Sequence, residues 1–297
     1  MNGVADDIKN AFRRTDNAHV QLILINLIVF VVLVLIKIPF GLFGNTAIYT
    51  WILNQVSMPA NFQEILYKPW TILTYSFVHE GIWHIAGNML TLYWFGSIIT
   101  EFLGSRRVVN LYVLGAIVGG IFYILAYNIF PIFAPYYQQT ILYGASASVF
   151  AIVVAAPTLL PQYTFYFRFI GEVKIIYIAM FLILLSTIGT LGGNAGGNFA
   201  HLGGALIGYI YIKQLKVGND LGKPISAMID FFKNIGKPKS KVRVSYRNDK
   251  NVVGNYSKTS VPDQAEVDRI LDKISVSGYN SLTKEEKEEL FSASQKK

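Results

Sequence analysis

The sequence predicts an all-α membrane protein: a bundle of six transmembrane helices, a membrane-associated first loop and a small C-terminal helical hairpin. Three observations predict it. Only 15% of the 297 residues are charged and 53% are hydrophobic, against about a quarter charged in average soluble domains. The charges are also unevenly placed. Between His19 and Ile212 there are ten, and the other 34 of the 44 lie in the two ends. Finally, six apolar runs stand as candidates to cross a hydrocarbon core, which takes roughly 20 residues of helix, and basic loops alternate with neutral ones between them. A soluble globular enzyme, a disordered chain and a disulfide scaffold are excluded. The absence of cysteine removes thiol catalysis and Cys-rich zinc sites as well.

The runs are Val20–Ile36, Ile82–Thr100, Val108–Ile129, Ser146–Leu160, Ile175–Leu191 and Phe199–Ile212. The first follows Arg13 and Arg14 and reads as a signal anchor, since no small-residue cleavage site follows it. The fourth and sixth are short, so they are expected to be sheltered by neighbours. The head carries Lys9, Arg13 and Arg14; the second loop carries Arg106 and Arg107; the fourth carries Arg168 and Lys174. The loops between these are nearly uncharged. That alternation places both termini on the cytoplasmic side. The net charge of +8 is read as this topological signal rather than as nucleic-acid binding. With no targeting presequence apparent, a bacterial cytoplasmic membrane is the expected location. The loop from Lys37 to Gly81 is aromatic (Trp51, Phe62, Tyr67, Trp70) and suits the membrane interface.

Four segments follow. Residues 1–19 form a cytoplasmic head, residues 20–214 the six-helix domain, residues 215–260 a basic linker attracted to anionic lipid, and residues 261–297 a hairpin. In the hairpin, Asp263 with Glu266 and Thr283 with Glu286 have capping-box spacing, and Gly278 fits a helix C-terminus. Its role is open between a solvated appendage and a partner-docking module.

Polar groups inside a membrane protein are functional candidates. By the alternation, the second, fourth and sixth spans all begin on the outer side. His79, His84 and Asn88, then Gly144, Ser146 and Ser148, then His201, therefore share one depth. Ser146 and His201 are a candidate nucleophile and base. Gly144-Ala145-Ser146-Ala147 equally suits close helix packing, as do Gly203, Gly204 and Gly208. The two readings agree, because close approach would bring Ser146 Oγ to His201. His84 and Asn88 share one helical face; they bond to each other or the first loop, or donate to an oxyanion. His79 and His84 are about 140° apart on a helix, so no metal site is expected, and no cofactor.

These motifs resemble the rhomboid family of intramembrane serine proteases, from Trp70 to Tyr211. The resemblance lies in Phe77-Val78-His79, His84-Ile85-Ala86-Gly87-Asn88-Met89, Gly144-Ala145-Ser146 and Ala200-His201-Leu202-Gly203-Gly204 with Gly208. It implies a rhomboid-like bundle in which Ser146 is the nucleophile and His201 the general base. It further implies an oxyanion hole of His84, Asn88 and the Ser146 N–H, with Gly144 letting backbone approach the substrate. Phe150, one turn past Ser146, stands where the family often has Tyr; its ring is expected to pack on His201. Ala147 and Thr71 stand where Gly and Arg are frequent. The implied substrates are transmembrane proteins with helix-weakening residues near the outer end, and the implied surroundings are membrane lipids, not nucleic acid. The oligomeric state is not readable from the sequence. The alternatives are an inactive relative that binds transmembrane helices and a small-solute transporter. Absence of inverted-repeat symmetry argues against the transporter. Ile270-Leu271-Asp272-Lys273-Ile274 and Ser281-Leu282-Thr283 resemble a C-terminal appendage of such proteins in some bacteria.

Overall fold

A computed structural model describes residues 16–235 and 264–294. The chain divides into two compact units, Met1–Lys237 and Pro238–Lys297. The first unit is a helical bundle. Its elements in order are α1 (Ala18–Leu42), α2 (Ala47–Val56), α3 (Phe62–Tyr67), α4 (Thr71–Thr74), α5 (Ile82–Leu103), α6 (Ser105–Ile129), α7 (Ser146–Leu159), α8 (Ile175–Ile188), α9 (Ala195–Lys216) and α10 (Lys223–Asn234). Among the described residues, α1 and α6 are long and apolar enough to cross a membrane, and α7 and the run from α8 to Leu191 are shorter apolar helices. The 22 residues of α5 and of α9 match in length, but polar and glycine residues dilute their apolarity.

The centre of the bundle is α7. Every residue from Ala147 to Pro157 is buried except Phe150. Small residues make this possible. A Cβ added at Gly115 of α6 would meet Ser148 Cα at 2.7 Å, and one at Gly119 would meet Ala147 Cβ at 2.5 Å. From the other side, Cβ atoms at Gly204 and Gly208 of α9 would run into the carbonyl oxygens of Ala147 and Ala151. Two glycine pairs, each four residues apart, thus clasp an alanine pair with the same spacing. Gly203 faces α6 instead, against Phe122 and the Val118 carbonyl.

The outlying helices are apolar on all sides but bury one stripe. In α1 the buried residues are Ala18, Leu22, Asn26 and Leu33. Asn26, fully buried, donates to the Tyr112 hydroxyl at 3.0 Å, which donates in turn to the Ser76 carbonyl at 2.6 Å. In α8 the stripe is Ile175, Ala179 and Ser186.

The first loop folds into α2 to α4 and a 3₁₀ turn, Tyr75–Phe77. Trp51, Phe62, Tyr67 and Trp70 stay exposed. A two-residue strand pairs it with the segment ahead of α7, Met58 opposite Leu142 and Pro59 opposite Ile141. A second pairing, Thr164–Phe167 with Gly171–Lys174, makes the loop carrying Arg168 and Lys174 a hairpin.

Two expectations are corrected. The sixth span is not short: α9 runs from Ala195 to Lys216. Gly196 and Gly197 mask its first turn in the hydropathy pattern, although Gly196 packs against the Tyr123 and Tyr127 rings. The segment read as a linker contains α10, held to the start of α6. Arg107 pairs with Asp220 at 2.6 Å, Arg106 with Asp230 at 3.2 Å, and the Ser226 hydroxyl donates to Asn110 Oδ1 at 3.1 Å.

The second unit contains α11 (Gln264–Ser277), a 3₁₀ turn (Tyr279–Ser281) and α12 (Lys284–Ser294), around Ile270 and Leu282. Gly278, with φ +75°, ends α11. The Thr283 N–H donates to Glu286 Oε2 at 2.8 Å and the Glu286 N–H to Thr283 Oγ1 at 3.3 Å, a reciprocal capping box. Asp263, the other expected cap, lies outside the described residues, as do most of the head and residues 236–263.

Candidate active site

The segment entering α7 is held at three points. Its strand pairs with the first loop. The Gly144 N–H donates to the Tyr75 carbonyl at 2.9 Å. The Ala145 N–H donates to His79 Nε2 at 3.3 Å. Gly144 has φ +123°, and a Cβ there would meet the His84 ring at 2.8 Å. Both facts require glycine. The space its missing side chain frees is occupied by His84. Ser146 then opens the helix. As a first-turn residue its N–H has no intrahelical partner and is available to an acceptor.

His201 lies in the second turn of α9, beside α7 and α8. The Phe150 ring lies flat on its imidazole, with centroids 4.3 Å apart and planes within 9°. Ser186 Oγ sits 3.0 Å from His201 Nδ1. Ser186 is absent from the candidates read in the sequence. The available signal was its position: the one hydroxyl on the buried Ile175–Ala179–Ser186 stripe of α8.

From α5 come His84 and Asn88. Asn88 is buried, and its Nδ2 donates to the His84 carbonyl at 3.0 Å and approaches His79 Nε2 at 3.4 Å. His79 is thus a support beneath the site. Its Nε2 serves Ala145 and Asn88, and its ring meets His84 edge to face at 4.9 Å. His19, the fourth histidine, is at the far end of α5, where its Nδ1 meets Thr100 Oγ1 at 2.9 Å. Sixteen residues of helix separate His84 from Thr100, about 24 Å.

Ser146, His201, His84, Asn88 and Phe150 open onto one cavity of about 630 Å³. That holds on the order of 20 waters at liquid density. Ser146 and His201 share its wall, and no hydrogen bond joins them among the described residues. Such contacts are often long without substrate and tighten on binding. Ala147 is buried and absent from this wall; its methyl packs towards Gly119. The Ala147 methyl therefore takes no part in lining the cavity. Ser148 is fully buried within α7, its hydroxyl without a hydrogen-bond partner.

Beside the cavity mouth, Glu80 accepts from the Tyr49 hydroxyl at 2.8 Å and from Lys37 at 3.1 Å, with Tyr143 next to it. Burial pushes the Glu80 carboxyl upward, but the Tyr49 and Lys37 hydrogen bonds hold it below its ordinary value. Burial, then Glu80 itself, raises the Tyr49 and Tyr143 phenols. Tyr143 lines the cavity, so this cluster ties the first loop to the site. Among the described residues no three His, Asp or Glu side chains are grouped to hold a metal.

The arrangement offers a hydroxyl, an oriented imidazole and several N–H donors around one cavity, a set suited to acyl transfer. Comparison with known proteins gives the family. The Rhomboid domain model matches residues 67–216. A family of unknown function (DUF6576) matches residues 252–296. RHOMBOID-like protein 12, mitochondrial, of Arabidopsis thaliana is 31% identical over 157 residues, 50% of this chain and 47% of that protein. Presenilin-associated rhomboid-like protein, mitochondrial, of Homo sapiens is 28% identical over 174 residues, 55% of this chain and 41% of that one. Rhomboid protein 1, mitochondrial, of Saccharomyces cerevisiae is 29% identical over 149 residues, 48% and 40%. The match spans less than half the length of each relative. With the family model covering half the chain, and the motif residues gathered on one cavity, the chain belongs to the rhomboid family.

Proposed function

We propose that the protein is an intramembrane serine endopeptidase that hydrolyses peptide bonds in or near transmembrane segments of other membrane proteins. The observation that carries the proposal is the convergence of Ser146, His201, His84 and Asn88, from three helices, on one cavity. His201 Nε2 takes the Ser146 Oγ proton as the oxygen attacks the scissile carbonyl. Negative charge then develops on the carbonyl oxygen, where His84, Asn88 and the Ser146 N–H donate to it; one such donor is worth about 10²–10³ in rate. His201 returns the proton to the leaving amine, and an ester to Ser146 remains. Water, deprotonated by His201, attacks that ester and releases the second fragment. Phe150 restrains the imidazole plane, and Gly144 keeps His84 close to the nucleophile.

In this proposal α1, α5, α6, α7, α8 and α9 are the six spans. The alternation of loop charge supports cytoplasmic termini. A bacterial cytoplasmic membrane is our proposed compartment; the organelle names of the relatives describe those proteins. The substrate is a transmembrane helix whose scissile segment unwinds, because a helix encloses its peptide bonds.

The test is a fluorescent fluorophosphonate applied to wild type and Ser146→Ala in detergent. Labelling of wild type alone is expected. Equal labelling of both, or none of the folded wild type, would overturn the assignment; in the second case a non-cutting binder of transmembrane helices becomes the reading.

A further inference from the structure

The geometry points to Ser186 of α8 as a positioning residue for His201, an inference that rests on the Ser146–His201 reading. A flat stack on Phe150 restrains the tilt of the imidazole but does not choose which ring edge faces Ser146. It also leaves the tautomer free. To act as base, His201 must keep a lone pair on Nε2, so its single proton must sit on Nδ1. Once it has taken the Ser146 proton, both ring nitrogens are donors. In either state Nδ1–H needs an acceptor, and this edge of the ring is enclosed by helices. Ser186 Oγ lies 3.0 Å from Nδ1. Ser186 is itself only 4% exposed, so water does not readily replace it. The hydroxyl is neutral, a weaker acceptor than the carboxylate of a charged triad, and buries no additional charge. The bond also ties α8 to α9 at the level of the reaction, so a displacement of α8 would release the imidazole edge.

The test uses the full chain, labelled with ¹⁵N-histidine, as wild type, Ser186→Ala and Ser186→Thr. Imidazole ¹⁵N shifts of His201, assigned by its loss in His201→Ala, report the tautomer without any need for turnover. The expected result is an Nδ1–H tautomer in wild type that becomes mixed or Nε2–H in Ser186→Ala. Fluorophosphonate labelling and kcat on a peptide substrate should fall roughly 3–10-fold in Ser186→Ala, the worth of one neutral hydrogen bond, with KM unchanged. Ser186→Thr, which retains the hydroxyl, should recover most of the rate. An Nε2–H tautomer in wild type, or an unchanged tautomer and labelling rate in a folded Ser186→Ala protein, would overturn the positioning role. If wild type is not labelled at all, the protease reading fails by that result alone, and the tautomer comparison still decides what Ser186 does to the ring.

Discussion

Gly204→Ala tests how tightly the chemistry depends on the contact between α7 and α9. The added Cβ would fall within van der Waals contact of the Ala147 carbonyl oxygen, 2.9 Å from its carbon and 3.2 Å from its Cα. These are backbone atoms, so no side chain can rotate away. Helix α7 cannot retreat either, because a Cβ at Gly115 or Gly119 of α6 would already lie within 2.8 Å of it on the other side. Overpacking costs about 1–3 kcal/mol, and the constraint on both sides of α7 puts this case at the upper end. Replacing Gly by Ala inside a helix returns about 1 kcal/mol. The net loss is about 2 kcal/mol, a fall in Tm of about 4–8 °C for a unit of this size. The chemical effect should be larger. Ala147 follows Ser146 and Gly204 lies three residues from His201, so the two helices would separate at the proposed reacting groups. A displacement of about 1 Å costs up to about 10² in rate.

Tm can be followed by the fluorescence of the four tryptophans, and the nucleophile by fluorophosphonate labelling. Gly41→Ala, where an added Cβ meets nothing within 4 Å, should leave both unchanged or raise Tm. A second-site change makes the reasoning sharper. At Gly119 the added Cβ would meet the Ala147 side chain at 2.5 Å, so Ala147→Gly should partly rescue Gly119→Ala. It should not rescue Gly204→Ala, whose conflict is with the Ala147 backbone. Wild-type Tm and labelling in Gly204→Ala, or its rescue by Ala147→Gly, would refute the packing argument.

Two further outcomes are expected. His201→Ala should abolish cleavage of a transmembrane substrate, while Asn88→Ala should lower it roughly 10–100-fold, less than a fully free oxyanion donor is worth, because its amide already bonds the His84 carbonyl; equal losses in the two variants would count against the assigned roles. Glu80, held below its ordinary value of 4.5, contributes stability that is complete above that pH and is lost as pH falls through its folded value. Thermal unfolding between pH 6 and 3 should therefore decline less steeply in Glu80→Gln than in wild type, and parallel slopes would show that the carboxylate is not linked to folding.

The sequence makes some parts of this site legible and hides others, for identifiable reasons. Ser146, His201, His84 and Asn88 stand out because polar groups are rare in apolar spans and the spans begin at one level. Phe150 is legible from one-turn spacing. Ser186 is not, since a single hydroxyl in a long apolar run satisfies itself within its own helix in most cases, as Thr187 does on the Ile183 carbonyl. Its significance depends on α8 lying beside α9, a tertiary fact. The pairing of Met58–Pro59 with Ile141–Leu142 is equally silent, being two residues long and more than 80 residues apart in the chain. Helix α10 is hidden by its lysines, although Ile225 and Ser226 face inwards and Met228, Phe231 and Phe232 form an exposed stripe. Its anchors, Arg107 with Asp220 and Asn110 with Ser226, are long-range pairs that no local pattern announces.

The small residues around Ser146 invite two readings, packing and catalysis, and the structure shows why they need not compete. In a bilayer there is little hydrophobic gain in pressing one apolar helix against another, so close approach depends on small residues and on shape. Here that approach is greatest where Gly204 and Gly208 meet the Ala147 and Ala151 carbonyls, next to the proposed nucleophile and base. The contact that binds α7 to α9 also sets the separation of Ser146 and His201. Ala147 fits this account. The methyl at that position points to α6, not to the cavity, and packs against Gly119, whose own missing side chain makes the room. The residue that departs from the family pattern is therefore matched by a glycine on a neighbouring helix. Testing each of the two alone would mislead: Gly119→Ala should damage the protein more while Ala147 is present than beside Ala147→Gly, where only the conflict with the Ala200 carbonyl oxygen at 2.8 Å remains, and Ala147→Gly should open a void against α6 without enlarging the cavity.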